Sequence, residues 1–161
     1  MSDRNFTYDW LQRLIGASNP ESGVVNYSSY DNNGNLLVKT AARGVQTSFT
    51  YDILDRVTYK TYSGVTAPVT ATSQVVYIYD SDQTIAGHPD SSEPNYYVGR
   101  LVTESNGNST TVYRYDAQGR VQSSKQSTGG DYIFDYNTGR PGVAIARSGP
   151  RSIDWGAGRA P

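Results

Sequence analysis

The sequence predicts an all-β fold, a repetitive ribbon of antiparallel β-hairpins. Three observations lead there. Tyr, Val and Thr are abundant, with 14 tyrosines in 161 residues, and these residue types suit a pleated, half-buried surface better than a helix. A Tyr-Asp pair answered a few residues later by Gly-Arg recurs along the chain at regular steps. The residues leading into each Asp alternate with a period of two, as in Tyr113-Arg114-Tyr115 and Tyr77-Ile78-Tyr79, which is the strand signature.

The copies run in order. They read YDWLQRL from Tyr8, YDNNGNL from Tyr30, YDILDRV from Tyr51 and YDAQGRV from Tyr115. Between the last two, Tyr79-Asp80 has lost its close partner, and GRLV resumes at Gly99-Arg100. Two late copies, FDYNTGRP from Phe134 and IDWGAGRA from Ile153, set Gly-Arg one residue further on. The position after the turn is Arg13, Asn35, Arg56, Arg100, Arg120, Arg140 and Arg159, in steps of 22, 21, 44, 20, 20 and 19. The step of 44 is one repeat carrying insertions. A fixed period of this kind marks a repeat architecture. The whole of residues 1–161 is thus expected to form one module of about seven hairpins, with insertions near 61–74 and 81–98.

The spacing has a local mechanism. Asp suits the first position of a type I turn, where its carboxylate accepts N–H groups just ahead. Gly at the fourth position accepts the positive φ that this loop needs before the return strand. Asp52, Asp116, Gly34 and Gly119 are therefore expected to fix turns. Asp55 stands in for Gly in the third copy and tolerates that conformation well, whereas Gln12 in the first copy is a poorer fit.

Alternation collects Phe6, Tyr8 and Leu14, then Tyr30 and Leu36, then Phe49, Tyr51 and Val57, then Tyr113, Tyr115 and Val121 on one face. Arg114 and Gln122 fall on the other. Such a ribbon leaves an aromatic face and two strand edges uncovered, both unfavourable. It is expected to coil into a spiral sheet or partial barrel, or to pack against further repeats or another copy of the chain. Self-association follows from the same reasoning.

Several function classes find no support. Lys and Arg number 14 against 15 Asp and Glu, so no field favours nucleic acid or an acidic membrane. No apolar run is long enough to span a bilayer, and Met1-Ser2-Asp3-Arg4 is not followed by an export signal. There is no cysteine and a single histidine, His88, so thiolate chemistry is excluded and a histidine-rich metal site is not available within one chain. Asp80-Ser81-Asp82 lacks the Gly and closing Glu of a calcium loop. No Gly-x-Ser-x-Gly elbow accompanies His88. The turn acids follow the repeat period and not a converging site, so neither catalysis nor a cofactor is expected. Tyr96, Tyr97 and Trp155 lie outside the regular ladder and are the candidate rings for a sugar ligand.

These copies, taken from Tyr8 to Arg159, resemble the YD repeat, also called the Rhs repeat. The resemblance implies a β-ribbon spiralling into a hollow shell. Bacterial Rhs and toxin-complex proteins use such a shell to enclose a C-terminal toxin, and teneurins use a similar barrel in cell-surface adhesion. It implies that the repeat residues are architectural: Tyr8, Asp9, Tyr30, Asp31, Gly34, Tyr51, Asp52, Arg56, Tyr79, Asp80, Gly99, Arg100, Tyr115, Asp116, Gly119, Arg120, Gly139 and Arg140. Arg56, Arg100 and Arg120 would brace adjacent repeats. It also implies a place in a larger secreted or cell-surface bacterial protein. The family's Asp-Pro-x-Gly-Leu processing motif does not occur in this sequence, so self-cleavage is not carried over. The expected function is a structural scaffold with no enzymatic activity and no cofactor. Its partners would be further repeats, an enclosed toxin or surface glycans. The alternative is a carbohydrate- or cell-surface-binding adhesion module built on the 81–98 insertion.

Overall fold

The computed structural model describes residues 3–64, 73–82 and 94–135. Among them there is no helix, and eleven strands make one open antiparallel sheet in which neighbours in space are neighbours in sequence. The strands are β1 (Asn5–Tyr8), β2 (Leu14–Asn19), β3 (Gly23–Tyr30), β4 (Leu36–Thr40), β5 (Gln46–Tyr51), β6 (Val57–Ser63), β7 (Val75–Tyr79), β8 (Leu101–Ser105), β9 (Thr110–Tyr115), β10 (Val121–Ser127) and β11 (Asp131–Asp135). The hairpin ribbon predicted from the repeat is the observed architecture. His88, Gly139, Arg140, Trp155 and the turns of the two late copies lie outside the described residues. The chain divides into two compact units, Met1–Tyr77 and Ile78–Pro161, the division falling inside β7.

In the first unit the register pairs Tyr8 with Leu14, Tyr30 with Leu36 and Tyr51 with Val57. Each of these pairs is followed at once by a bulge. Thr7 faces Gly16, Ser29 faces Val38 and Thr50 faces Tyr59, leaving Ile15, Leu37 and Thr58 as the extra residues. A bulge adds one residue to one strand and raises the local twist. Beyond it the in/out parity of the return strand is shifted by one. Tyr59 therefore shares a face with Thr50 and not with Tyr51. On the aromatic face, Tyr27, Lys39, Thr47 and Tyr62 lie in a row across β3 to β6. Among the described residues of this unit, Thr47 and Val75 are buried. β6 continues to Ser63, paired with Gln46, so Thr61–Ser63 are strand and not part of the insertion expected near 61–74.

The second unit repeats the device. Val121 faces Tyr115, Gln122 is the bulged residue, and Ser123 faces Arg114. The parity expected from alternation, Gln122 opposite Arg114, is displaced by that one residue. Here both faces carry buried side chains. Val102 and Ser124 are buried on the side that carries Tyr113 and Phe134, and Thr103, Arg114, Ser123 and Ile133 on the other. Exposed large apolar side chains lie both in strands, as Phe6 and Val24 do, and at turns, as Trp10, Ile53 and Val98 do.

Val102 is fully buried and Val98 is 75% exposed. Val102→Ala is expected to destabilise the chain by about 2 kcal/mol, and Val98→Ala by no more than about 0.5 kcal/mol. Urea denaturation of the two variants checks this, and equal midpoints would contradict the burial described.

Candidate functional site

The repeat motif folds into one local unit, seen four times with a short-range acid. At the fourth of these, the Asp116 N–H donates to the Arg120 carbonyl (3.0 Å) and the Gly119 N–H donates back to the Asp116 carbonyl (2.9 Å). Asp116 Oδ1 accepts the N–H groups of Gln118 (3.0 Å) and Arg120 (2.9 Å), and its Oδ2 accepts Arg120 Nε (2.7 Å). Asp9 makes the same bonds to Leu11 and Arg13 (2.8 Å for the Nε contact), and Asp52 to Leu54 and Arg56 (2.7 Å). In the second copy Asn35 replaces arginine, and its Nδ2 donates to Asp31 Oδ2 (3.0 Å). One carboxylate thus satisfies two turn amides and orients the side chain four residues on. That is why the acid and the cation recur at this spacing.

The fourth turn position has positive φ in each of these four copies: 63° at Gln12, 90° at Gly34, 60° at Asp55 and 83° at Gly119. Gly119 has a second constraint, because a Cβ there would collide with the Arg100 guanidinium lying against it. The insertion near 81–98 does not break the scheme. Asp80 donates its N–H to the Arg100 carbonyl (3.3 Å) and accepts the Gly99 N–H on its carboxylate.

The tyrosines join one repeat to the previous one. The Tyr51 hydroxyl donates to the Leu36 carbonyl (2.7 Å), Tyr115 to that of Leu101 (2.6 Å), and Tyr30 to that of Leu14. Each acceptor directly follows the post-turn residue: Arg13, Asn35 or Arg100. Above the ring sits that same cation, Arg13 at 4.8 Å from the Tyr30 centroid and Arg100 at 5.4 Å from that of Tyr115. A guanidinium over an aromatic face is electrostatically favourable. Where Asn35 takes the arginine's place, its amide spans to the next turn, donating to Asp55 Oδ1 at 2.6 Å, with Asn33 Nδ2 on the same oxygen at 2.9 Å. Arg120 differs from the others: it pairs with Asp116, but its side chain is 73% exposed.

The electrostatics follow this geometry. Partial desolvation works to raise the carboxyls of Asp9, Asp31 and Asp116, yet the donated hydrogen bonds outweigh it and hold all three below the ordinary carboxylate range. In Asp52 the Arg56 backbone N–H is the main cause of the same lowering. Desolvation pushes the phenols of Tyr30, Tyr51 and Tyr115 up, the neutral form being the one that donates to a carbonyl.

The ligand candidates are less organised. Tyr96 is exposed and Tyr97 half-buried, and neither lies in a strand. The Tyr96 N–H donates to the Tyr115 carbonyl (3.2 Å) and the Tyr97 carbonyl accepts the Arg100 N–H (3.0 Å). Among the described residues no cluster of His, Cys, Asp or Glu is arranged to hold a metal. Two structural contributors had no signal in the repeat. Asn95 Oδ1 accepts the Tyr115 N–H (3.0 Å). Ala41–Val45 forms the same turn without an acid, with Gly44 at φ 79°, and so falls outside the Asp-based motif.

Residues 30–66 match the family model of the RHS repeat. This segment is similar to an RHS repeat. It opens on Tyr30 and takes in the Asp31 and Asp52 turns and the Tyr51–Leu36 bond that joins them. The geometry of the matched RHS repeat recurs outside it, at Asp9–Arg13 and at Asp116–Arg120. No curated protein matches the chain.

Gly119→Val is expected to lose about 1–2 kcal/mol from backbone conformation alone, and more from displacement of Arg100, whereas Gln118→Ala stays near wild type. Equal melting temperatures would contradict the turn described. The depressed carboxyls set a pH dependence. Because they bind protons less readily folded than unfolded, their stabilisation is complete above the ordinary Asp value near about 3.9 and is lost as pH falls through the lower folded values. The melting temperature should be flat from neutrality to about pH 5 and fall below about pH 4, less steeply in Asp52→Asn. A melting temperature that rises on acidification would overturn this.

Proposed function

We propose that the chain is a non-enzymatic wall segment of a larger bacterial secreted or surface protein. Its sheet, coiled with further repeats, would enclose a C-terminal toxin. What supports the reading is that Asp9, Asp31, Asp52 and Asp116 each shape a turn, and Tyr30, Tyr51 and Tyr115 each join one hairpin to the last. Their regular recurrence distributes them along the sheet and brings no set of them together. A wall needs that distribution, since every added repeat must present the same joint to the next. The neighbours of such a segment are other repeats of the same kind, and no cofactor is needed. No helix among the described residues is long and apolar enough to cross a membrane.

An adhesion module is the second reading, because Tyr96 and Val98 at the end of the 81–98 insertion are exposed, 46% and 75%. A glycan array and a panel of hydrolase substrates separate the readings. The wall reading expects neither glycan binding nor turnover. Saturable glycan binding that is lost in Tyr96→Ala would favour adhesion, and hydrolysis lost on changing a single turn acid would overturn both. The reading frame carrying the chain is a further check: copies of Tyr-Asp-x-x-Gly-Arg beside it and a variable domain downstream are the expected arrangement.

A further inference from the structure

We propose that Asn106 is a site of spontaneous covalent modification, converted to aspartate or isoaspartate through attack by the backbone nitrogen of Gly107, and that the fold shields the chain's other Asn-Gly pair, Asn33-Gly34, from the same reaction. The modification goes beyond the wall reading and is independent of it. The sequence holds two Asn-Gly pairs, each followed by a further asparagine, Asn35 or Asn108. Glycine puts no side chain in the way of the attack. The local sequence therefore gives the two sites nearly equal reactivity, and their folded surroundings decide between them.

The reaction sets three requirements. The glycine nitrogen must give its proton to hydroxide and form a bond to the asparagine Cγ. The negative charge that develops on Oδ1 must be stabilised. The Cγ–Nδ2 bond then breaks, Nδ2 takes a proton from water and leaves as ammonia, and a second water opens the five-membered imide at either carbonyl. At Asn106 each requirement is met. Gly107 is exposed, and its N–H has no partner among the described residues. Asn106 Oδ1 accepts the N–H groups of Asn108 (3.1 Å) and Ser109 (2.8 Å), and two backbone donors on one oxygen favour charge developing there. Among the described residues Asn106 Nδ2 makes no hydrogen bond that would hold it back. Attack also needs the Asn106–Gly107 peptide to turn towards the side chain, a motion open to an exposed tip by local opening.

In Asn33-Gly34 the same groups are engaged. The Gly34 N–H donates to the Asp31 carbonyl (3.2 Å), so the nucleophile is held. The Asn33 N–H donates to Asp31 Oδ1 (3.0 Å) and its Nδ2 to Asp55 Oδ1 (2.9 Å). The leaving group is thus tethered to the next turn, and these bonds must break before the ring can close. The two products at Asn106 would act differently. Aspartate keeps an oxygen for the Asn108 and Ser109 N–H groups and adds a negative charge, whereas isoaspartate puts an extra methylene into the main chain between β8 and β9.

Incubation of the full chain at mildly alkaline pH, followed by peptide mapping in a mass spectrometer, tests this, with isoaspartate read by enzymatic methylation. Asn106 is expected to convert at least about tenfold faster than Asn33, whose bonds to Asp31 and Asp55 must first be broken. In urea the two rates should come together, and both should rise with pH. Asp55→Gly removes the tether and suits the φ of 60° at that position; it should speed conversion of Asn33 and leave Asn106 unchanged. Equal rates in the folded chain, a ratio that persists in urea, an Asn33 indifferent to Asp55→Gly, or a folded Asn106 that stays intact while the unfolded chain converts would each overturn the proposal. All of these leave the wall reading standing, and glycan binding or turnover would remove that reading without altering either rate.

Discussion

A phenol that reaches back one repeat to a backbone carbonyl, with a cation over its ring, is the interaction on which the rest of the sheet depends. A hairpin by itself is marginal in water. It gains stability here when its tyrosine crosses to the preceding return strand and satisfies a carbonyl there. The carbonyl belongs to the residue just after the turn, so the bond also fixes the register of neighbouring hairpins. The Asp clamp serves this joint: by holding Arg13 at Nε, Asp9 aims the guanidinium that lies over Tyr30.

This explains how the chain makes a sheet from so little aliphatic side chain. Leu, Ile, Val and Phe number 30 of 161 residues, and the buried apolar residues described are only Val75, Val102 and Ile133. Rings that are half-buried with a hydroxyl at a polar edge replace a closed core. Such a ring contributes apolar area and directs its polar end to a partner. Polar side chains complete the packing, with Thr103, Arg114, Gln122, Ser123 and Ser124 all buried in the second unit. The arrangement can be extended, because the parts of the joint recur with the repeat, as the Tyr30–Leu14, Tyr51–Leu36 and Tyr115–Leu101 bonds show.

How much of this was legible depended on range. The turns could be read because their cause is local: Asp52, Gly34 and Gly119 act within five residues of themselves. The pairing of Tyr51 with Val57 followed from turn length. The bulges at Ile15, Leu37, Thr58 and Gln122 were not legible, since nothing in the residue types separates a bulged Thr58 from an ordinary strand threonine. They arise from the twist that a three-residue loop imposes on the return strand, and they move every later side chain to the opposite face. Burial of Arg114 and Ser123 was hidden for another reason: it depends on contacts made across strands, which a period of two does not report. Asn95 lies in an insertion with no counterpart in the other copies, so the repeat could not point to it.

A double-mutant cycle on Arg13 and Tyr30 tests the joint most directly. The chain is unfolded by denaturant as wild type, Arg13→Ala, Tyr30→Leu and the double variant. The joint predicts a coupling of about 0.5–1 kcal/mol, the double variant losing less than the two single losses together. Losses that simply add would mean that the guanidinium and the ring are neighbours without being partners.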